Sequence, residues 1–141
     1  MNNKGYTLIE LVVTISLVVV VTAIFVPKLN YNRSYLKAFS DELLYDVRDL
    51  RTKSMTKGSA NYSIVFDTDK NIYYYKEGTN VIKSVELDSD YEFDLYTSTI
   101  SFNFNGTPDN AQTIRIRNKK TGDYKEISIV PNTGRILLVE E

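Results

Sequence analysis

The chain has 141 residues, enough for one ordinary domain, and it contains no Cys, His or Trp. These absences exclude disulfide bonds, Cys/His zinc sites, Cys–His or Ser–His nucleophilic pairs and histidine acid–base switching. With a formal net charge of -1 at pH 7, the chain has no overall attraction for nucleic acid or anionic lipid.

The first predicted element is an apolar helix. An uncharged run rich in Val and Ile extends from Leu11 to Val26 and is followed by Pro27. Counted from Tyr6 to Pro27, a helix would be about 33 Å long, against about 30 Å for the hydrocarbon core of a bilayer. Because lipid offers no hydrogen bonds to an open backbone, the weak helix propensity of valine matters little there. The segment is therefore predicted to be compatible with a membrane.

Two general interpretations of this helix leave one feature unexplained. A secretory signal peptide would use Lys4 as its charged region and Val21-Thr22-Ala23 as its cleavage site, but the apolar run continues beyond that site. A plain membrane anchor explains the length. Neither interpretation explains Glu10, a carboxylate that is costly to desolvate at the edge of an apolar helix and that requires a partner.

A third interpretation supplies that partner. The sequence Lys4-Gly5-Tyr6-Thr7-Leu8-Ile9-Glu10 resembles the class III signal of the type IV pilin and type II secretion pseudopilin superfamily. The resemblance implies that residues 1–5 are a leader, that prepilin peptidase cuts between Gly5 and Tyr6, and that Tyr6 becomes the N-methylated terminus. Tyr6 stands where the family usually has Phe. The resemblance further implies that residues 6–33 form a transmembrane and polymerisation helix, with a kink at Pro27 and with Glu10 acting in subunit assembly.

The resemblance also implies partners and a location. The partners are the other pilin or pseudopilin subunits, contacted through the N-terminal helix, together with prepilin peptidase, the inner-membrane assembly platform and the cytoplasmic membrane. The subunit would cross the cytoplasmic membrane once before assembly and lie in an extracellular or periplasmic filament afterwards. In this scheme Glu10 of one subunit neutralises the α-amine of Tyr6 on a neighbour, which specifies register in a bundle of low dielectric constant.

The next predicted element is an amphipathic helix from Ser34 to Lys57 that ends near Gly58. Its apolar positions recur at spacings of three, four, four and three residues, and they are Leu36, Phe39, Leu43, Val47 and Leu50. This narrow stripe predicts that a sheet packs against one side of the helix.

Beyond Ser59 the apolar pattern changes to a period of two, which predicts strands. The predicted strands are Tyr62–Phe66, Ile72–Tyr75, Val81–Leu87, Thr99–Phe104, Thr113–Arg117, Tyr124–Val130 and Arg135–Val139. Short turns between them predict antiparallel hairpins arranged as a meander. The predicted fold is α+β and pilin-like, with a long N-terminal helix packed on an antiparallel β-sheet head that covers residues 34–141.

The end of the chain narrows the resemblance. Phe102-Asn103-Phe104-Asn105-Gly106 and Thr133-Gly134-Arg135 are similar to two turns of the minor pseudopilin H/FimT-like group. This implies a minor subunit of a type IV pilus or of a type II secretion-like pseudopilus. Two alternatives stay open: a FimT-like minor pilin that binds DNA for natural transformation, and a membrane-anchored extracellular domain that never polymerises.

A locally basic set of residues is the candidate DNA-binding site. It consists of Arg115, Arg117, Lys119, Lys120 and Arg135. Electrostatic capture of DNA would use such side chains, with an aromatic ring nearby for stacking. The favoured interpretation is an ordinary solvated strand face and turn.

An acidic stretch is the candidate cation site. Carboxylates occupy alternate positions at Glu86, Asp88, Asp90, Glu92 and Asp94. On an extended strand they would share one face, but neighbours would lie about 7 Å apart, too far to share one calcium ion without a bend. The favoured interpretation is therefore a strand edge whose like charges discourage unwanted pairing.

The remaining motifs point away from catalysis. The run Tyr73-Tyr74-Tyr75 places rings on both faces of a strand, which suits a core contact on one side and a subunit or partner contact on the other. The favoured interpretation is ordinary sheet packing. No Gly-x-Ser-x-Gly sequence, phosphate-binding loop or metal-ligand spacing is found, so neither catalytic residues nor a cofactor is predicted.

Overall fold

A computed structural model describes residues 7–57 and 61–139, and for residues 25–32 it describes the backbone only. The chain forms one helix and eight strands in this part. They are α1 (Leu8–Thr56), β1 (Tyr62–Asp67), β2 (Ile72–Glu77), β3 (Asn80–Glu86), β4 (Tyr91–Asp94), β5 (Thr99–Ser101), β6 (Thr113–Asn118), β7 (Tyr124–Ile129) and β8 (Ile136–Val139). The order confirms the predicted α+β class.

The chain divides into two compact units, residues 1–35 and residues 36–141. In the second unit, the part of α1 that it contains buries the predicted apolar stripe, from Leu36 to Leu50. Burying each such side chain contributes about 1.5–3 kcal/mol. The helix ends at Thr56, close to the predicted Lys57, whereas Gly58 lies outside the described residues.

The strands form two antiparallel sheets of four strands each. The first sheet has the order β3-β2-β1-β5 and the second has the order β4-β6-β7-β8. In the first, Ile64 pairs with Tyr75 on one side and with Ile100 on the other. In the second, Ile116 pairs with Phe93 and with Lys125.

The predicted single meander is wrong in the middle of the head. The strands β1 to β3 and β6 to β8 form the expected hairpins, but β4 joins the second sheet and β5 returns to the first. The strand predicted over Thr99–Phe104 stops at Ser101, after which Phe102 makes an isolated bridge with Pro108. The two strands lie in different sheets because β5 pairs with β1 and β4 pairs with β6. Neither strand pairs with its neighbour in sequence.

An aromatic cluster joins the helix to both sheets. Phe39 of α1 lies edge-on to Tyr73 of the first sheet, with ring centroids 6.0 Å apart, and 5.9 Å from Phe93 of the second. Phe66 of the first sheet completes the cluster at 5.1 Å from Phe93. The helix and the two sheets therefore share one core.

A row of polar contacts runs beside this core. Asp46, at the edge of the apolar stripe of α1, is buried and accepts hydrogen bonds from the Tyr73 hydroxyl and from Lys83 Nζ, both at 2.7 Å. One turn later, Asp49 accepts one from the Tyr75 hydroxyl at 2.9 Å. Burial, together with these carboxylates, raises the pKa of both tyrosines well above the ordinary range. The contacts satisfy a buried charge and hold α1 against the first sheet.

Candidate functional site

The predicted processing site lies outside the described residues. Gly5 and Tyr6 precede the described part of the chain, so cleavage between them and methylation of Tyr6 stay predictions. The structure begins at Thr7, directly before the first residue of α1.

Glu10 takes part in a capping box at the start of α1. Its Oε2 accepts hydrogen bonds from the Thr7 backbone N–H at 2.8 Å and from the Thr7 hydroxyl at 2.9 Å. In return, the Glu10 N–H donates to Thr7 Oγ1 at 3.3 Å. The sequence Thr-x-x-Glu is typical of this motif, which satisfies amide groups that have no partner within the helix. Glu10 thus has a local role beside the predicted role in assembly, and a partner on a neighbouring subunit would have to share or replace Thr7.

The first half of α1 presents an apolar surface. All its side chains from Leu8 to Ile24 are exposed, and the exposed fractions of the large apolar ones run from 44% at Val21 to 81% at Leu8. Its hydroxyls bond back to the helix, as Thr14 and Ser16 do to the Glu10 and Val12 carbonyls. An exposed apolar surface of this extent is typical of a site that contacts other proteins or a membrane.

Within the described residues, no helix reaches the length and apolarity that crossing a membrane requires. The predicted single membrane pass therefore stays a prediction. The helix continues through Pro27, and the kink predicted there also stays a prediction.

The four basic residues predicted on β6 and the following turn lie together, but they are engaged by neighbouring groups. Arg115 forms ion pairs with Asp94 and Glu126, and Arg117 forms one with Glu92. Lys120 pairs with Asp90 at 2.7 Å, and Lys119 Nζ donates to the Ser89 carbonyl at 2.9 Å. The Arg115 guanidinium lies 4.8 Å from the Tyr124 ring centroid. Hydrogen bonding to Glu126 raises the pKa of Arg115. Most of the positive charge expected on this face is therefore balanced locally.

Arg135 is not part of that face. It directly precedes β8 and lines a separate cavity beside α1. The five residues of the predicted basic set therefore do not form one patch.

The acidic stretch does not form one strand. The chain turns between Glu86, the last residue of β3, and Tyr91, the first of β4, and the two strands lie in different sheets. Within the described residues, no group of three or more acidic side chains could hold a metal ion. The favoured interpretation, a strand edge of like charges that repel each other, is wrong for Asp90, Glu92 and Asp94, because all three pair with basic residues of the β6 region.

The tyrosine run divides between two faces of β2, as predicted. Tyr73 and Tyr75 are buried against α1, and Tyr74 is half-buried on the other face, where Lys76 Nζ lies 5.6 Å from its ring centroid. A partner contact at Tyr74 stays an untested alternative to ordinary sheet packing.

A meeting of two turns at Arg51 was not predicted from the sequence. Arg51 Nε donates to the Gly106 carbonyl at 3.0 Å and its Nη2 donates to the Thr133 carbonyl at 3.1 Å. Gly106 and Gly134 both have positive φ, and a Cβ on Gly134 would lie 2.0 Å from the Gly106 oxygen. The turn that contains Gly106 and the turn that contains Gly134 are therefore in direct contact. Only glycine at position 134 permits this approach.

Comparisons with known proteins give one match to the N-terminal sequence and one match to the fold. Residues 1–26 match the family model of the prokaryotic N-terminal methylation motif. The fold is similar to that of the minor pseudopilin EpsH from the Type 2 Secretion System of Vibrio cholerae, with a TM-score of 0.59 and 11% identity over 74% of this chain and 95% of that chain. Among curated proteins, no significant match is found. The motif match and the similarity of fold both agree with the resemblance to the type IV pilin and pseudopilin superfamily.

Proposed function

We propose that this chain is a minor pilin or pseudopilin subunit that prepilin peptidase cuts after Gly5 and that polymerises through its N-terminal helix into a type IV pilus or type II secretion-like pseudopilus. The observation that carries the proposal is the methylation motif at residues 1–26, which includes the first part of a helix whose apolar side chains are exposed from Leu8 to Ile24. The role is structural rather than catalytic. We further propose that the helix anchors the subunit in the cytoplasmic membrane until assembly.

The head supports this assignment through its fold, which is similar to that of a minor pseudopilin. DNA binding is not favoured as a second function, because the candidate residues on β6 are already paired with carboxylates. The proposed partners are neighbouring subunits, prepilin peptidase and the inner-membrane assembly platform.

Leader processing is the first test. The chain is expressed with and without a prepilin peptidase, and intact-mass spectrometry follows residues 1–5 and methylation of Tyr6. We expect loss of the leader only with the peptidase, and no loss in Gly5→Asp. Asn3→Ala is the matched control and should be processed like wild type. An uncut leader in the presence of an active peptidase would contradict the proposal.

Assembly is the second test, and Glu10 allows the charge to be separated from the helix cap. Glu10→Gln removes the charge but keeps an oxygen for the Thr7 donors, because Gln also completes a capping box. Glu10→Ala removes both. If Glu10 neutralises the amine of a neighbour, both variants should be depleted from purified filaments. Depletion of the Ala variant alone would assign Glu10 to capping and refute the registry role.

A further inference from the structure

A cleft beside the C-terminal part of α1 is lined by three arginines. Its volume is about 420 Å³, and one wall comes from α1 while the other comes from the turn before β8. We call it the arginine cleft, and its lining includes Arg48, Arg51, Met55, Thr133, Arg135 and Ile136.

The three arginines of the cleft carry positive charge without an acidic partner in the described part of the chain. No carboxylate of the described residues lies within ion-pair distance of Arg48, Arg51 or Arg135, whereas Arg115 and Arg117 are both paired. Three like charges around one cavity repel each other, and an anion placed there would remove this repulsion.

Two of these guanidinium groups are held in place by backbone oxygens. Arg51 donates to the Gly106 and Thr133 carbonyls, and Arg48 Nη2 donates to the Ile136 carbonyl at 3.4 Å. A guanidinium has five N–H donors, so each group keeps donors for a further acceptor. Groups that are already positioned lose less conformational entropy when a ligand binds. The cleft is therefore partly preorganised for an oxyanion.

The rest of the lining distinguishes the kind of anion. Met55 and the edge of Ile136 give the cleft an apolar side next to its guanidinium donors. A carboxylate on an aliphatic stem, such as a glutamate side chain, can use both sides. A phosphodiester backbone has no apolar stem and is captured better by an open basic groove.

We propose that the arginine cleft docks an acidic side chain of an adjacent subunit in the filament, an inference that rests on the function proposed above. Charge complementarity supports such an occupant, because the guanidinium groups that line the cleft have no carboxylate partner among the described residues and a neighbour's carboxylate would balance them. The contact gives the heads a specific interaction in addition to the one between N-terminal helices.

The binding test uses the processed full chain in detergent micelles and follows the Nε–H signals of its six arginines by NMR. The probe is an acetylated, amidated peptide of alternating Glu and Ala, and the control is its Gln counterpart. We expect the signals of Arg48, Arg51 and Arg135 to shift and saturate with the acidic peptide only. Signals of Arg115 and Arg117 should stay in place as internal controls.

Single variants then locate the site. Arg48→Gln and Arg135→Gln should each weaken binding about tenfold, because each removes one charge-assisted contact. Lys70→Gln removes the same charge from the distant β1–β2 turn and should leave the affinity unchanged. Absence of saturable shifts, or equal shifts at all arginines, would overturn the inference. Tighter binding of inorganic phosphate or of a single-stranded oligonucleotide would also overturn it, by assigning the cleft to phosphate.

Leader processing and filament incorporation distinguish a failure of this inference from a failure of the proposed function. If the peptide binds but the chain is neither processed nor incorporated into filaments, the proposed function and the assigned occupant both fall. If filaments form normally with Arg48→Gln and Arg135→Gln subunits and the peptide does not bind, only the role of the cleft falls. Reduced incorporation of both variants, with normal leader processing, supports the cleft.

Discussion

Gly134→Ala should destabilise the head more than an alanine at any other described glycine with positive φ. Gly134 has φ +61°, and an added Cβ would lie 2.0 Å from the carbonyl oxygen of Gly106. That oxygen cannot move freely, because it belongs to backbone and accepts the hydrogen bond from Arg51 Nε. One of the two turns must therefore shift by about 1 Å to reach ordinary contact distances.

The expected magnitude follows from two terms. A left-handed backbone costs an alanine about 1–2 kcal/mol, and forced displacement of packed groups adds about 1–3 kcal/mol. The smaller entropy of the unfolded chain returns about 0.4–1 kcal/mol. The net loss is about 2–4 kcal/mol. For a head of this size, that loss lowers the melting temperature by roughly 10–20 °C.

Gly78→Ala is the matched control. Gly78 has φ +58°, nearly that of Gly134, but nothing lies within 4 Å of an added Cβ. It should therefore lose only about 1 kcal/mol, from the backbone term less the entropy gain. Gly106→Ala should fall between the two, because its shortest contact, 2.6 Å, is to the flexible Met55 thioether.

The assay is chemical denaturation of the full chain in micelles, followed by near-ultraviolet circular dichroism of the tyrosines. NMR of the Arg51 Nε–H gives a second measurement, and only the two variants at the turns should move that signal. Equal midpoints for Gly134→Ala and Gly78→Ala would refute the reasoning, because the close approach of the turns would then carry no energetic weight.

Three further predictions concern the polar contacts of the head. Asp46→Ala should cost about 2–4 kcal/mol in denaturation, since it leaves the buried Tyr73 hydroxyl without its acceptor, whereas the exposed Asp41→Ala should change little. Stability should also fall as the pH rises above about 10, because the pKa of Tyr73 and of Tyr75 is raised in the folded chain and the unfolded chain loses these protons first. Tyrosinate absorbance should then show a cooperative step that coincides with unfolding, and a gradual titration of all tyrosines in the folded chain would contradict this. In a mobility-shift assay at low salt, the full chain should not retain DNA through the Arg115 face, and retention that Arg115→Gln abolishes would reverse this conclusion.

Features set by neighbouring residues could be predicted from the sequence. The apolar stripe of α1 and the two sets of three hairpin strands follow from local periodicity and turn residues. The exchange of β4 and β5 could not be predicted, because each is four residues or shorter and pairs with a strand distant in sequence. Short strands carry too few alternating positions to specify their partner.

The burial of Asp46 was missed for a similar reason. A period of 3.6 places this residue at the edge of the apolar stripe, three residues after Leu43 and four before Leu50, but nothing local indicates which groups of β2 and β3 meet its carboxylate. Only the register of the sheet brings the Tyr73 hydroxyl and Lys83 to its carboxylate. Likewise, Arg51 and Gly134 are separated by most of the head sequence, so their proximity depends on the complete fold.

The two charged sides of α1 differ in how their charge is balanced, and this difference bears on function. Asp46 and Asp49 meet Lys83 and Lys53, so each of these two carboxylates has a basic partner within the fold. Arg51, in contrast, meets only the carbonyl oxygens of two turns in the described part of the chain. Carbonyls fix the direction of a guanidinium without cancelling its charge. Holding the turns together would need only a neutral donor, so the charge of Arg51 is what the proposed acidic side chain of an adjacent subunit would balance.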